Sequence, residues 1–227
     1  MTDKIDDTEL ETSTTPGYNP GEKKSVDEYA KLDQHDESLN KWKASLGITG
    51  DASAPADKPK VEFLTLSLEA PTLNNPIKFN LSDFIPNQSA ESKQHLKSNP
   101  VNIKENSDYN VKLDFKVNHD VISGLKYVQV VKRSGITVDK LQEMIGSYGP
   151  KAEVYEKRFP TEESPSGMLA RSGQYQVRSR ITDDDGHLYL DFEWSFKITK
   201  ECSADSPTAP AMATIMATTK NLIVVKV

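Results

Sequence analysis

"YNVKLDFKV", Tyr109 to Val117, is the stretch that decides the fold. Tyr109, Val111, Leu113, Phe115 and Val117 alternate with Asn110, Lys112, Asp114 and Lys116. A period of two turns one face of an extended strand to a core and the other to water. Working outward, "LYLDFEWSFKI" repeats the pattern with Leu188, Leu190, Phe192, Trp194, Phe196 and Ile198 inward, and "YQVRSRI" does so through Tyr175, Val177 and Ile181. Shorter alternations occur in "FLTLSL" (Leu64, Leu66, Leu68) and "IKFNL" (Ile77, Phe79, Leu81), while "GLKYVQVVKRSGITV" reads as a further strand and turn. Many strands separated by turn signals, with no long amphipathic helix between them, predict an all-β, immunoglobulin-like antiparallel sandwich over residues 59–200. The apolar stripes serve a plain core and an apolar ligand pocket equally well, so periodicity alone does not separate the two.

The flanks differ in character. Residues 1–24 are acidic and rich in Thr, Gly and Pro, a composition that does not offset the entropy of ordering and predicts disorder. "GDASAPADKPK", Gly50 to Lys60, reads as a linker. Between them, Ser25 and Glu28 fit a capping box that starts a short helix with Val26, Tyr29 and Ala30 on one side. A second helix fits Asp36 to Leu46, with Leu39, Trp42 and Leu46 as its stripe and Gly47 just past its end. Each is about ten residues, below the roughly 12–15 at which isolated helices become marginally stable, so both need a surface to fold on. Residues 1–58 are therefore expected to form a flexible arm with helical segments at about 25–47. After Lys200 an atypical tail, 201–227, reads either as a disordered extension or as an added edge strand from "NLIVVKV", a β-branched run that is also an aggregation segment.

The 227 residues carry a net charge of −6 and 36% hydrophobic side chains. That supports a real core and argues against nucleic acid as partner, which needs a concentrated basic face. A basic protein partner fits better. A single cysteine, Cys202, excludes an intramolecular disulfide and a thiolate metal cluster. No secretory leader and no apolar run long enough to span a bilayer is legible, so a cytosolic location without stable membrane insertion is expected. The sequons at Asn80 and Asn87 then read as chance matches in loops.

Few residues suggest chemistry. His35, His95, His119 and His187 have no ligand spacing, and neither a phosphate loop nor a nucleophile elbow is present. "TDDDGH", Thr182 to His187, could hold a hard cation through Asp183, Asp184 and Asp185, but it lacks the alternate spacing and later Glu of a calcium loop. It reads better as an acidic hairpin tip. "MIGSYGP", Met144 to Pro150, reads as a tight corner. No cofactor, metal or catalytic residue is expected.

The order of "LDQHDESLNKWKASLG", "VISGLKYVQ", "VDK", "GSYGP", "SPSGMLARSGQY", "RITDDD" and "FEWSFKI" resembles the Rho GDP-dissociation inhibitors over roughly residues 18–200. The resemblance implies a non-enzymatic protein that binds GDP-loaded, geranylgeranylated Rho-family small GTPases of Rho, Rac or Cdc42 type as a 1:1 heterodimer. It would slow nucleotide release and extract the GTPase from membranes to the cytosol. It further implies a switch-binding set of Tyr18, Asp36, Ser38, Leu39, Trp42 and Leu46 in the arm, with Asp184 and Asp185 at the acidic tip. A prenyl pocket would be drawn from Leu66, Tyr109, Val111, Phe115, Val121, Val177, Phe192 and Trp194. Glu162 and Glu163 would meet the basic tail of the GTPase. Two other readings stand beside it: a general cytosolic carrier of lipidated proteins, against which the "DESLNKWKASLG" helix argues, and a metal-dependent hydrolase built on Asp183, Asp184 and Asp185.

Overall fold

The computed structural model describes residues 5–12, 25–45, 58–81 and 96–201. Tyr18, Leu46, Gly47, Asn87, His95, Cys202 and the "NLIVVKV" segment lie outside these residues. The arm contributes α1 (Val26–Lys31) and α2 (Glu37–Ser45). The sandwich contains β1 (Val61–Glu69), β2 (Ile77–Asn80), β3 (Val101–Lys104), β4 (Asp108–Val117), β5 (Ile122–Arg133), β6 (Ile136–Tyr148), β7 (Tyr155–Arg158), β8 (Glu162–Glu163), α3 (Gly167–Arg171), β9 (Gln174–Thr182) and β10 (Leu188–Thr199). One sheet runs β2-β1-β4-β7 with β8 also joined to β4, and the other runs β3-β10-β9-β5-β6.

The deciding stretch is β4. Leu113, Phe115 and Val117 have no exposed surface, whereas Tyr109 and Val111, on the same face, are only half-buried. The core face thus opens toward the start of the strand. In β1 a bulge between Phe63 and Thr65 shifts the phase. Val61 and Phe63 are buried before it, Leu66 and Leu68 after it, and Leu64 is only half-buried. A bulge adds one residue to one strand and so exchanges its faces. β10 has an irregularity between Leu188 and Leu190, and Leu188 stays exposed.

Three other expectations change. The sandwich is antiparallel except at one edge, where β3 runs parallel to β10. "MIGSY" is no corner: Met144 to Tyr148 is the end of β6, with Lys126 opposite Met144 and Ile122 opposite Tyr148. Gly146 takes φ +130° there, which a strand containing a Cβ at that place would strain to reach. The expected disorder of residues 1–24 fails at Asp7–Leu10, a 3₁₀ turn, where Ile5 and Leu10 are buried against Val128 and Val130. Two apolar anchors suffice there because the surface that receives them belongs to the sandwich.

The β5–β6 hairpin turns through Ser134 (φ 50°) and Gly135 (φ 80°). Positive φ at both central residues matches the right-handed twist of the strands it joins.

Candidate functional site

Before Leu113, toward the start of β4, the two sheets part. β7 pairs with β4 only from Lys112 to Phe115, and β8 pairs only Asp108 and Tyr109, so on the edge away from β1 the start of β4 lacks a continuous neighbour. A cavity of about 500 Å³ occupies the space, within the roughly 300–1,000 Å³ of small-molecule sites. Leu66, Leu68, Phe79, Tyr109 and Val111 wall one side, and Val131, Tyr175, Trp194 and Phe196 the other. Tyr175 and Phe196 stack at 4.6 Å between ring centroids, and Phe79 leans on Trp194 at 5.3 Å.

The polar groups at and behind the lining are largely satisfied. The Tyr127 hydroxyl donates to Gln129 Oε1 at 2.7 Å and lies 2.9 Å from Ser179 Oγ, which also accepts from Trp194 Nε1 at 3.1 Å. Such a network keeps rings in one orientation while the cavity itself stays apolar. Ser67 Oγ, also at the wall, has no hydrogen-bond partner among the described residues.

The mouth is acidic. Asp139, Glu162 and Glu163 line it with a single guanidinium, Arg133. Tyr109 donates to Glu162 Oε2 at 2.7 Å, and burial together with that carboxylate pushes the phenol far above its ordinary range. It remains a neutral donor that holds Glu162 in place. Arg133 lies over the Tyr175 ring at 5.4 Å and donates to Leu169 O and Ser172 Oγ, fixing α3 to the hairpin.

Of the pocket residues expected from sequence, Leu66, Tyr109, Val111 and Trp194 line the cavity. Phe115, Val177, Phe192 and Val121 do not. Phe115 is closed off where the sheets meet, 5.0 Å from Tyr148 and 5.5 Å from Tyr155. Val177 and Phe192 are core residues at 1% and 2% exposure, and Val121 lies in the β4–β5 connection. Inward strand positions are shared by core and cavity, and only the depth along each strand tells them apart. Sequence reading missed Phe79, Tyr175 and Phe196, which the period-two pattern had available, as well as Val131 on β5 and Leu141 on β6.

The acidic tip is less exposed than three consecutive carboxylates suggest. Asp183 is buried and accepts from His187 N and the Tyr189 hydroxyl, each at 2.8 Å. Asp184 pairs with Lys126 at 2.6 Å, and Asp185 is exposed. Ligand atoms of Asp183, Asp185 and His187 lie within 4.8 Å of one another and could hold a cation. The turn's own hydrogen bonds already account for that closeness.

In the arm, Ser25 Oγ accepts from Glu28 N at 3.3 Å and Glu28 returns to Ser25 N at 2.8 Å, the capping box read from sequence. Asp36 caps α2 by accepting from Ser38 N (2.9 Å) and Leu39 N (3.0 Å). Lys43 is buried and donates to Leu32 O, which ties the helices together. Leu39 is half-buried and Ser38 exposed, and Trp42 keeps 57% of its surface in water.

Fold and cavity define an immunoglobulin-like sandwich with an apolar chamber between its two sheets, preceded by a capped helical arm. The chain belongs to the Rho GDP-dissociation inhibitors, since the family model described as "RHO protein GDP dissociation inhibitor" matches residues 3–201. The match begins before Tyr18 and so includes the packed N-terminal turn. The Rho GDP-dissociation inhibitor of Schizosaccharomyces pombe is 43% identical over 196 residues, covering 85% of this chain and 92% of that protein. That of Saccharomyces cerevisiae is 43% identical, covering 81% and 91%. Rho GDP-dissociation inhibitor 1 of Bos taurus is 40% identical, covering 81% and 86%. A β-glucuronidase of Bacteroides uniformis overlaps 61% of this chain and 14% of its own at a TM-score of 0.35 and 10% identity, too slight a likeness to bear on fold or function.

Proposed function

We propose that this chain binds a GDP-loaded, geranylgeranylated Rho-family GTPase of Rho, Rac or Cdc42 type, one GTPase per chain, slows GDP release and carries the GTPase from membrane to cytosol. The observation that supports this most directly is the apolar cavity with its acidic mouth. An isoprenoid fits the chamber, and Asp139, Glu162 and Glu163 suit the basic segment that would precede the lipidated residue. Among the described residues no helix is long and apolar enough to cross a membrane.

Burying about twenty prenyl carbons gains on the order of 10–16 kcal/mol, at about 0.8 kcal/mol per CH₂. A bilayer offers the same gain, so the cavity alone makes transfer roughly neutral. The remaining drive has to come from contacts that the membrane does not provide. Trp42, Leu39 and Ser38 on α2 and Asp36 at its cap are the residues proposed to supply them against the GTPase switches, together with Tyr18, Leu46 and the tip residues Asp184 and Asp185. A linked second contact is intramolecular, with an effective concentration in the mM range for a short flexible linker. Arm contacts that exist only while the switches are closed oppose their opening, and release of GDP slows accordingly. No bond is made or broken.

The arm argues against a general carrier of lipidated proteins, which needs only the cavity. Liposomes loaded with a geranylgeranylated, GDP-bound Rho GTPase provide the test. Added protein should move the GTPase into the supernatant at one-to-one stoichiometry, and equal release of an unrelated prenylated protein would favour the general carrier.

A further inference from the structure

The stretch "IDDTEL", Ile5 to Leu10, sets two apolar residues among acids. Ile5 and Leu10 are 2% and 1% exposed, packed on Val128 and Val130 of β5. Tyr127, Gln129 and Val131 line the cavity, so the alternate residues that receive the anchors face the opposite side of the sheet. The polar groups around this contact are matched one by one. Asp7 accepts from Arg178 and Arg180, each at 2.7 Å, and both arginines also hold Asp191 of β10. Arg178 donates to the Ile5 carbonyl at 2.8 Å. Glu9 pairs with Lys132 at 2.6 Å, accepts from Thr137 of β6 at 2.8 Å and from Asp6 N at 3.1 Å. Strands β5, β6 and β9 each supply polar partners to six residues of chain.

We propose that the outer face of β5, β6 and β9 is a binding site for the chain's own N-terminus, and that docking there makes the arm a loop tethered at both ends. The functional half of this inference rests on the arm engaging the GTPase. Twelve residues separate Thr12 from Ser25 and twelve separate Ser45 from Lys58, and each connection can reach at most about 45 Å. With Ile5–Leu10 docked, α1 and α2 are confined from both sides near the sandwich that holds the lipid. Undocked, α1 is held only through α2 and its linker. Confinement raises the effective concentration of the helices at a bound GTPase without adding a contact.

A nitroxide on Thr8→Cys, in the full chain with Cys202→Ser, reports docking by broadening the backbone amides of residues 128–130 and 178–180. Leu10→Asp should remove the broadening. Glu9→Lys should weaken it, and Glu9→Lys with Lys132→Glu should restore it. Release of a fluorescent GDP analogue from a prenylated Rho GTPase is the second readout. Undocked variants should need about three- to tenfold more protein for half-inhibition, with prenyl-peptide affinity unchanged and the charge swap returning toward the parent value. Absence of broadening in the chain with intact Glu9 and Leu10 overturns the docking, and undocking without a change in half-inhibition overturns the tether. If the parent chain does not slow release at all, the proposed function fails, and the tether with it, while the broadening still decides the docking.

Discussion

The carboxylate of Asp184 fills the space that a side chain on Gly124 would need. Gly124 has φ +62°, and Asp184 closes over it through its backbone N–H to Ser123 O at 3.2 Å and its ion pair with Lys126 at 2.6 Å. The "ISG" and "TDDD" segments, far apart in sequence, thus form one corner, and the glycine is required by contact as well as by backbone angle. Gly124→Ala should lower unfolding free energy by about 1–3 kcal/mol and turn Asp184 outward. Urea unfolding measures the first, and disappearance of the Lys126 pairing shift in NMR spectra the second; an unchanged midpoint would mean that the corner yields easily.

The cavity can be filled from one wall. Leu141 lines it and is half-buried, so Leu141→Trp has room to turn into the chamber. A titration with a geranylgeranylated peptide should show affinity reduced by about tenfold or more, with the urea midpoint little changed. Unaltered affinity would place the lipid elsewhere.

Asp36 has a structural duty that has to be separated from its proposed contact with the GTPase. Its carboxylate caps α2 through Ser38 N and Leu39 N, and loss of such a cap costs about 1 kcal/mol. Asp36→Ser keeps a capping oxygen and removes the charge. If the charge meets the GTPase, Asp36→Ser should preserve arm helicity by circular dichroism yet weaken GTPase binding; if only the cap matters, Asp36→Ser should bind as the parent does and Asp36→Ala should not.

Acid should loosen the outer face. Burial pushes the Asp191 carboxyl up, but hydrogen bonds from Arg178 and Arg180 outweigh it and hold the group below its ordinary range. Hydrogen bonds from Arg180 and Arg178 lower Asp7, and the bond to Lys132 lowers Glu9. A carboxyl depressed in the folded state contributes fully above its unfolded value, near 4, and loses that contribution as pH falls through it toward the folded value. The urea midpoint should stay level from about pH 8 to about pH 5 and drop below about pH 4.5. Asp191→Asn should start lower and fall less steeply.

The strands were legible because alternation in β4, β9 and β10 survives in the sequence without reference to anything else. The capping box at Ser25 was legible for the same reason, being local, whereas Asp36 read as the first residue of the second helix and proves to be its cap. What escaped depends on distant partners. Ile5 and Leu10 look like stray apolar residues in an acidic segment until Val128, Val130, Arg178 and Arg180 are assembled beneath them. The bulge at Phe63 exchanges the faces of β1 without changing its composition. Core and cavity drew on one set of inward residues, so Phe115 and Phe192 were as plausible as Trp194 until the parting of the sheets set the depth. Asp183 sits inside a turn whose sequence advertises only charge.

Lipid binding in the cavity and switch binding by the arm are proposed here as separate contacts on one GTPase. The most direct measurement is release of a fluorescent GDP analogue from a geranylgeranylated Rho GTPase, run with the parent chain and with Trp42→Ala, each saturating for a prenyl peptide. The parent chain should slow release by about tenfold or more, equivalent to ~1.4 kcal/mol of arm binding energy that opening of the switches must overcome. Trp42→Ala should bind the prenyl peptide equally well and slow release far less. Equal inhibition by both, or none by the parent chain at saturation, would mean that the arm does not act on the switches.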